Sequence, residues 1–476
     1  MPKAWVTRRP IAESAPGGAG NPVTAADTIA ALASAPGRAG VAVIRLSGSS
    51  AIEICRALTG RQPEPRKAYL APFRDAHGQA IDHGLLLYFA APASFTGEDV
   101  IELQGHGSPV LVEALLARVV ALGARLARPG EFSERAFLND KLSLDQAEAI
   151  ADAIDAGSAA AARAAMRSLE GEFSRRIETL VDALIALRVY TEAAIDFPDE
   201  DDVDFLGDGA IERRLRDIRD RLEALTAQAR EGAGLREGVR VLILGRPNVG
   251  KSSLLNRLAR RDTAIVTEIA GTTRDVLSEQ LAIDGLPLTV IDTAGLRETA
   301  DPIEAEGVRR ARAELDRADR VLLVFDAAAG LGAEEQALID EIGAHCAITL
   351  IGNKIDLTRH SGDVAAGQAE LNGLDVVYLS AVDGRGFDAL GAHLKQCAGI
   401  SGEGEPAFVA RRRHLDALAQ AAAALAEGHR RLVNDAAGDL LAEELRLAQD
   451  ALGAITGAVT SDDLLGEIFS SFCIGK

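Results

Sequence analysis

Lys251 and Ser252 close the run Gly245-Arg246-Pro247-Asn248-Val249-Gly250-Lys251-Ser252. Its Gly-x4-Gly-Lys-Ser spacing wraps backbone N–H groups around a phosphate. The loop amides suit a β-phosphate, the Lys251 ammonium the β/γ oxygens, and the Ser252 hydroxyl Mg²⁺. Asn248, Val249, Gly250 and Ser253 complete the phosphate-binding set. Asp292-Thr293-Ala294-Gly295 follows, with an Asp for the outer shell of Mg²⁺ and a Gly N–H for the γ-phosphate. Asn353-Lys354-Ile355-Asp356 comes next. The Asp356 carboxylate accepts from guanine N1–H and its 2-amino group, donors that adenine does not pair, so adenine would leave a carboxylate unsatisfied. Ser380-Ala381 closes the series, offering the Ala381 N–H to guanine O6. Four motifs in this order predict a GTP site.

Strands and helices must hold these loops. Val241–Leu244 reads as the strand before the phosphate loop and Leu254–Leu258 as the helix after it, with Leu288–Ile291 the strand before Asp292. The fold class expected is multidomain α/β plus α, with a Ras-like P-loop G domain over 240–398. Before it, 27–141 alternates strand-like runs (Val41–Leu46, Gly84–Phe89) with a helix over Leu111–Leu122, an α+β pattern. Ser143 with Gln146 forms a capping box that opens helical patterning over 142–239. This is broken at Asp196–Phe205, whose six acids and Pro198 read as an exposed interhelical loop rather than a metal site. Past a Gly/Ser/Glu linker, 399–476 is helical again, and Ser461 caps a last short helix. Helices on both sides predict one helical domain with the G domain inserted.

The bulk numbers set limits. At 476 residues the chain holds roughly three domains. Aromatics make up only 4%, so small side chains pack most of the core. Cys55, Cys346, Cys397 and Cys473 have no metal or disulfide spacing and point to a reducing compartment. No apolar run approaches a membrane span. Residues 1–26 lack a signal-peptide core and read as a disordered bacterial leader rather than a mitochondrial transit segment. With 71 acids against 51 bases the net charge is −20, the reverse of a protein that lives by phosphate contacts. Arg411-Arg412-Arg413-His414 is the densest basic run and reads as a solvated helix face.

The source of hydrolytic power stays open at the level of residues. Where Ras-type switches carry a water-orienting Gln, this chain has Leu296. Arg297 is one candidate charge. A K⁺ beside Asn248 and the oxygen-rich loop Thr267-Glu268-Ile269-Ala270-Gly271-Thr272-Thr273 is another, with Thr273 the expected Mg²⁺ ligand. Glu298, Glu304 and Glu306 compete to orient the water.

From about Thr28 to Lys476 the chain resembles the MnmE (TrmE) family of tRNA-modifying GTPases. The resemblance rests on Pro36–Gly40, Ser94–Asp99, Arg128–Phe132, the Asn248-bearing P-loop and the terminal Phe472-Cys473-Ile474-Gly475-Lys476. It implies a homodimer formed through residues 27–141 and K⁺-dependent pairing of G domains. K⁺ would lie on Asn248, Thr267, Ile269 and Thr272, and Mg²⁺ on Ser252 and Thr273, with Glu304 as the catalytic glutamate. A tetrahydrofolate derivative (5,10-methylene or 5-formyl) would lie on Arg45, Glu102, Lys141 and Lys476, with Cys473 in a catalytic position. Physically, Glu102 suits pterin donors and Arg45 or Lys141 the glutamyl carboxylates. The implied reaction adds a carboxymethylaminomethyl or aminomethyl group at C5 of a tRNA wobble uridine with an FAD-dependent MnmG-type partner. No dinucleotide-binding Gly-x-Gly-x-x-Gly appears here, so FAD and NADH belong to that partner. Gly475 and Lys476 do not fit a prenylation box. The alternative is a regulatory ribosome-assembly or signalling GTPase. The G domain fits both readings, but no basic RNA-binding module is visible in the sequence.

Overall fold

The computed structural model describes residues 27–196, 209–261, 278–292, 315, 317–343, 345–357, 366–400, 405–435 and 438–475. The chain forms two compact units. One runs to Lys141 and is rejoined by the last residues from Phe469, and the other runs from Leu142 to Ile468.

The first unit is built on β1 (Ile29–Leu32), β2 (Ala39–Ser47), α1 (Ala51–Thr59), β3 (Tyr69–Arg74), β4 (Ala80–Phe89), β5 (Val100–Gly107), α2 (Pro109–Ala121), β6 (Arg125–Leu126) and α3 (Glu131–Leu138). Its sheet order is β3-β4-β5-β2-β1-β6. Side chains alternate between faces with period two. Ile44, Leu46, Leu86, Ile101 and Leu103 therefore join Ile54 and Leu58 of α1 and Leu115 and Val119 of α2 in one core. Each such side chain contributes roughly 1.5–3 kcal/mol by leaving water. The opposite sheet face carries Arg45 and Glu102, which are register partners.

Glu131 ties this unit together. Its carboxylate is almost fully buried and accepts from Arg125 Nη1 at 2.8 Å, the Arg128 N–H at 2.8 Å and Arg135 Nη2 at 3.2 Å. Burial alone would raise its pKa, but the Arg125 bond, the Arg128 N–H and Arg135 together pull it down to about 2 from 4.5. A depressed carboxylate stabilises the fold above its unfolded pKa, and that contribution is lost as pH falls through the folded value. We therefore expect exchange protection of β1 and α3 amides to fall between about pH 4.5 and pH 2. Glu131→Gln should remove this window and cost about 3–5 kcal/mol, as when one partner of a buried pair is deleted. Identical pH profiles in the two proteins would contradict the assignment.

The C-terminal tail belongs to the same unit. Phe469 is buried with its ring 6.4 Å from that of Phe137, and Phe472 is buried against Phe469 at 5.4 Å. Ile474 bridges to Pro129, and the Gly130 N–H donates to Cys473 O at 3.4 Å. Gly475, at φ +97°, approaches so closely that a Cβ would sit 2.2 Å from Leu32 O. Only glycine fits there.

The second unit opens with α4 (Leu144–Ile154), α5 (Ala159–Leu169), α6 (Glu172–Asp196) and α7 (Ala210–Glu237). Gln146 caps α4 by accepting from the Ser143 N–H at 2.9 Å. Then come β7 (Val239–Leu244), α8 (Lys251–Arg261), β8 (Ser278–Ile283), β9 (Leu286–Asp292), β10 (Arg320–Asp326), α9 (Ala333–Ile342), β11 (Ala347–Asn353), β12 (Gly367–Leu371), β13 (Leu374–Tyr378) and α10 (Phe387–Cys397). The sheet order β12-β13-β11-β10-β7-β9-β8 has five parallel central strands and an antiparallel strand at each edge. Helices α11 (Arg412–Asp435), α12 (Gly438–Thr456) and α13 (Asp462–Ser470) follow. Leu184 of α6, Leu215 and Leu222 of α7, Leu418 and Leu425 of α11 and Leu445 of α12 share one buried cluster. Chain on both sides of the nucleotide sheet therefore packs into one bundle.

The Arg411–His414 run is not a solvated face. Arg413 grips Glu148 of α4 with two bonds of 2.7 and 2.6 Å, and His414 lies buried with Nε2 at 2.9 Å from the same carboxylate. Arg411 Nη2 donates to Asp152 at 2.7 Å, as does Arg236 Nε. Burial would raise the Glu148 pKa, but His414 and Arg413 drive it well below the carboxylate range. Only Arg412 of the run is exposed. The sequence showed four basic residues but not the acids, more than 250 positions away, that they neutralise.

Candidate nucleotide site and the Arg45–Glu102 pair

Five parallel strands aim their carboxyl ends at one edge, where an open α/β sheet takes its ligands. At that edge β7 runs into the phosphate loop, β9 ends on Asp292, β11 ends on Asn353, and β13 leads to Ser380. The loop turns through positive φ at Gly245 (+140°), Asn248 (+62°) and Gly250 (+100°). A Cβ on Gly250 would lie 2.2 Å from Asn353 Nδ2, and one on Gly245 2.2 Å from Val324 O, so both close approaches demand glycine. Helix α8 begins at Lys251 and directs its unsatisfied N–H groups and positive dipole end at the loop. Lys251 Nζ donates to Gly245 O and Arg246 O, each at 2.6 Å.

Asn353 joins the base-reading side to the phosphate loop. Its Nδ2 donates to Val249 O at 2.8 Å, and its Oδ1 accepts from the Ala381 N–H at 3.0 Å. That N–H, assigned from sequence to guanine O6, thus serves a tie between loops here, and reaching a base requires it to share this bond. Ser380 Oγ donates to Asp356 Oδ1 at 2.6 Å and fixes the direction of an otherwise exposed carboxylate. Lys354, at φ +67°, pairs with Asp326 at 2.9 Å. Burial would raise the Asp326 pKa, but the Lys354 ammonium and the Ala328 and Ala329 N–H groups hold it below the usual range. Guanine-reading and phosphate-cradling residues, about a hundred positions apart, so meet at one edge. The donor set fits a magnesium nucleotide. Loop amides and Lys251 would hold the phosphates, and Ser252 is a hard oxygen ligand at the helix start.

The structure brings Asn248, Val249, Gly250, Lys251, Ser252 and Ser253 together with Asn353, Lys354, Asp356, Ser380 and Ala381. Thr267, Glu268, Ile269, Ala270, Gly271, Thr272, Thr273, Thr293, Ala294, Gly295, Leu296, Arg297, Glu298, Glu304, Glu306 and Lys476 lie outside the described residues, and of Asp292 only the backbone is described.

In the first unit Arg45 donates to Glu102 Oε1 through Nε (3.1 Å) and Nη2 (2.9 Å). The guanidinium sits 5.5 Å from the Phe95 ring centre and 5.8 Å from that of Phe132. Arg45, expected from sequence at the glutamyl carboxylates, thus lies against Glu102, expected at the pterin. Arg45 fixes the direction of the Glu102 carboxylate. Sequence reasoning missed Phe95 and Phe132, although each lies in a motif it had singled out. Lys141 packs along Gly97, whose Cβ would lie 3.5 Å from Lys141 Cδ. Cys473 is exposed. Among the described residues no three His, Cys, Asp or Glu side chains gather as a metal site, and no helix is long and apolar enough to cross a membrane.

A glycine-cornered phosphate loop at the carboxyl edge of a parallel sheet, with the Asn353-Lys354-Ile355-Asp356 motif beside it, defines a P-loop GTPase. A family model described as MnmE helical domain matches residues 144–473, and one described as GTP-binding protein TrmE N-terminus matches 28–141. The tRNA modification GTPase MnmE of Stutzerimonas stutzeri (strain A1501) is 56% identical over 458 residues, covering 95% of this chain and 100% of that one. The protein of the same description from Sodalis glossinidius (strain morsitans) is 55% identical over 455 residues, covering 94% and 99%. Among solved structures, a single-residue variant of Aquifex aeolicus Era bound to GDP and aluminium fluoride is 27% identical over 39% of this chain and 66% of that one, with a TM-score of 0.27. The chain belongs to the MnmE family of tRNA modification GTPases, and it is a GTP hydrolase.

Proposed function

We propose that this chain is a K⁺-activated GTPase whose cycle gates addition of a carboxymethylaminomethyl or aminomethyl group at C5 of a tRNA wobble uridine. A tetrahydrofolate derivative supplies the one-carbon unit, and an FAD-dependent MnmG-type partner supplies flavin and NADH. The observation that carries this reading is one chain holding both a guanine-nucleotide edge and the Arg45–Glu102 pair among Phe95 and Phe132. A signalling switch needs only the first. Lys251 and the loop amides hold the phosphates, Asp356 reads the base, and Ser252 with Thr273 takes Mg²⁺. Glu304 orients the attacking water. Cys473 works at the folate end, a placement supported by the contact of its carbonyl with the Gly130 N–H. Domains follow the same reading: 27–141 for folate and dimerisation, 142–239 and 399–476 as one helical domain, 240–398 as the inserted G domain. A homodimer through the first unit is supported by an apolar groove of about 480 Å³ lined by Leu32, Val41, Val112, Leu116, Val120 and Leu126. The protein acts in the bacterial cytoplasm.

Cation dependence tests the GTPase half. With Leu296 in place of a Gln, the missing charge is assigned to K⁺ on Asn248, Thr267, Ile269 and Thr272. Hydrolysis should be at least about tenfold faster in K⁺ than in Na⁺ at equal ionic strength, a floor well below the 10³–10⁵ that a finger charge can supply. Asn248→Ala should erase most of the difference while affinity falls less than turnover. Equal turnover in both salts transfers the role to another group such as Arg297.

A further inference from the structure

The phosphate loop needs a brace that survives nucleotide binding. Within the loop, Lys251 holds the Gly245 and Arg246 carbonyls. P-loop chemistry assigns the same ammonium to phosphate oxygens, so in binding its three N–H donors are divided between those carbonyls and the phosphates. Asn353 on Val249 O braces the far end of the loop. The near end carries Arg246, the residue between the first glycine and Pro247.

We infer that Glu335, at the start of α9, is a positioning residue for the phosphate loop, acting through Arg246. Glu335 is buried, with a side chain 4% exposed, and its Oε1 lies 2.9 Å from Arg246 Nε. The exposed Glu334 brings Oε2 to the same nitrogen at 2.9 Å. Neither contact is an aligned hydrogen bond, so the hold is mainly Coulombic. The other Glu335 oxygen accepts from the Gly332 N–H at 2.9 Å and caps α9. One carboxylate thus joins the helix start to the loop. Gly332 leaves room for this packing, since a Cβ there would lie 3.0 Å from Arg246 Nη2. A charge this buried is retained only with a partner, and Arg246 is the partner it has across the loop. None of these four residues lies in the base-reading motifs, so the clasp should act on phosphate binding alone.

The inference rests on the loop being the GTP site and adds what fixes its shape. Because the loop amides meet the β-phosphate, which GDP and GTP share, loosening the clasp should weaken both nucleotides alike. Glu335→Gln retains an acceptor for the Gly332 cap and removes the charge. In the full chain it should raise Kd for fluorescent GDP and GTP analogues by about tenfold, equal to about 1.4 kcal/mol. KM should rise with it while kcat at saturation stays within about twofold. Arg246→Ala should reproduce the effect, and the double variant should be no worse than either single one. Arg246→Gln, which removes the positive charge and leaves Glu335 and its Gly332 cap in place, should do the same and serves if a Glu335 variant fails to fold. Nucleotide affinities within twofold of the parent in folded variants, or strictly additive losses, would overturn the clasp. Failure of the parent chain itself to bind guanine nucleotide would instead remove the GTP reading beneath it.

Discussion

Asp356→Asn should weaken GTP binding by about 10²- to 10⁴-fold, because it breaks two hydrogen bonds to a charged acceptor worth about 1.5–3 kcal/mol each. The direction matters more than the size. Asparagine presents a donor where guanine also presents one, whereas xanthine presents an acceptor, so xanthosine nucleotides should gain as guanosine nucleotides lose. The structure makes this a clean substitution. Ser380 Oγ lies 2.6 Å from Oδ1 and can donate to an amide oxygen as well as to a carboxylate. The loop tie through Asn353 to Val249 and Ala381 does not involve Asp356. Titration with fluorescent guanosine and xanthosine analogues reads both changes. Unchanged GTP affinity would withdraw the base-reading role from Asp356.

Removal of Cys473–Lys476 should abolish wobble-uridine modification and leave K⁺-stimulated GTP hydrolysis near normal. No nucleotide motif lies in the tail sequence. Its described residues instead lie along Pro129–Gly130 and the end of β1 in the first unit. The neighbouring residues of that motif bear on the proposed folate end: Phe132 lies under Arg45, and Glu131 anchors Arg125 and Arg135. The buried Phe469 and Phe472 stay in the truncated chain, so the unit should keep its fold. Cys473→Ser separates chemistry from shape, since it keeps the backbone contact with the Gly130 N–H and removes only the thiol. Full modification by the truncated protein would end the tail's role and favour a switch without one-carbon chemistry.

The nucleotide motifs were legible because each phosphate or base contact is made within a few consecutive residues after a strand. Spacing alone encodes such a site. The capping box at Ser143 was readable for the same reason. What sequence could not give were partnerships over long separations. The Arg411–His414 run looks solvated until α4 brings Glu148 and Asp152 against it. Nor does the sequence show that strand register sets Arg45 beside Glu102. The Ala381 N–H looked committed to a base, because the sequence does not show Asn353 Oδ1 within its reach. In each case the missing quantity was a tertiary contact, which periodicity does not record.

The central claim is that GTP hydrolysis by this chain gates a chemical change on tRNA. Mass-spectrometric nucleoside analysis of tRNA tests it most directly, in cells lacking the protein and in the same cells carrying the parent chain, Asn248→Ala or the chain without Cys473–Lys476. The account predicts loss of the C5 aminomethyl-type wobble uridines without the protein and restoration by the parent chain alone. Normal wobble uridines in cells lacking the protein, or full restoration by both variants, would contradict it.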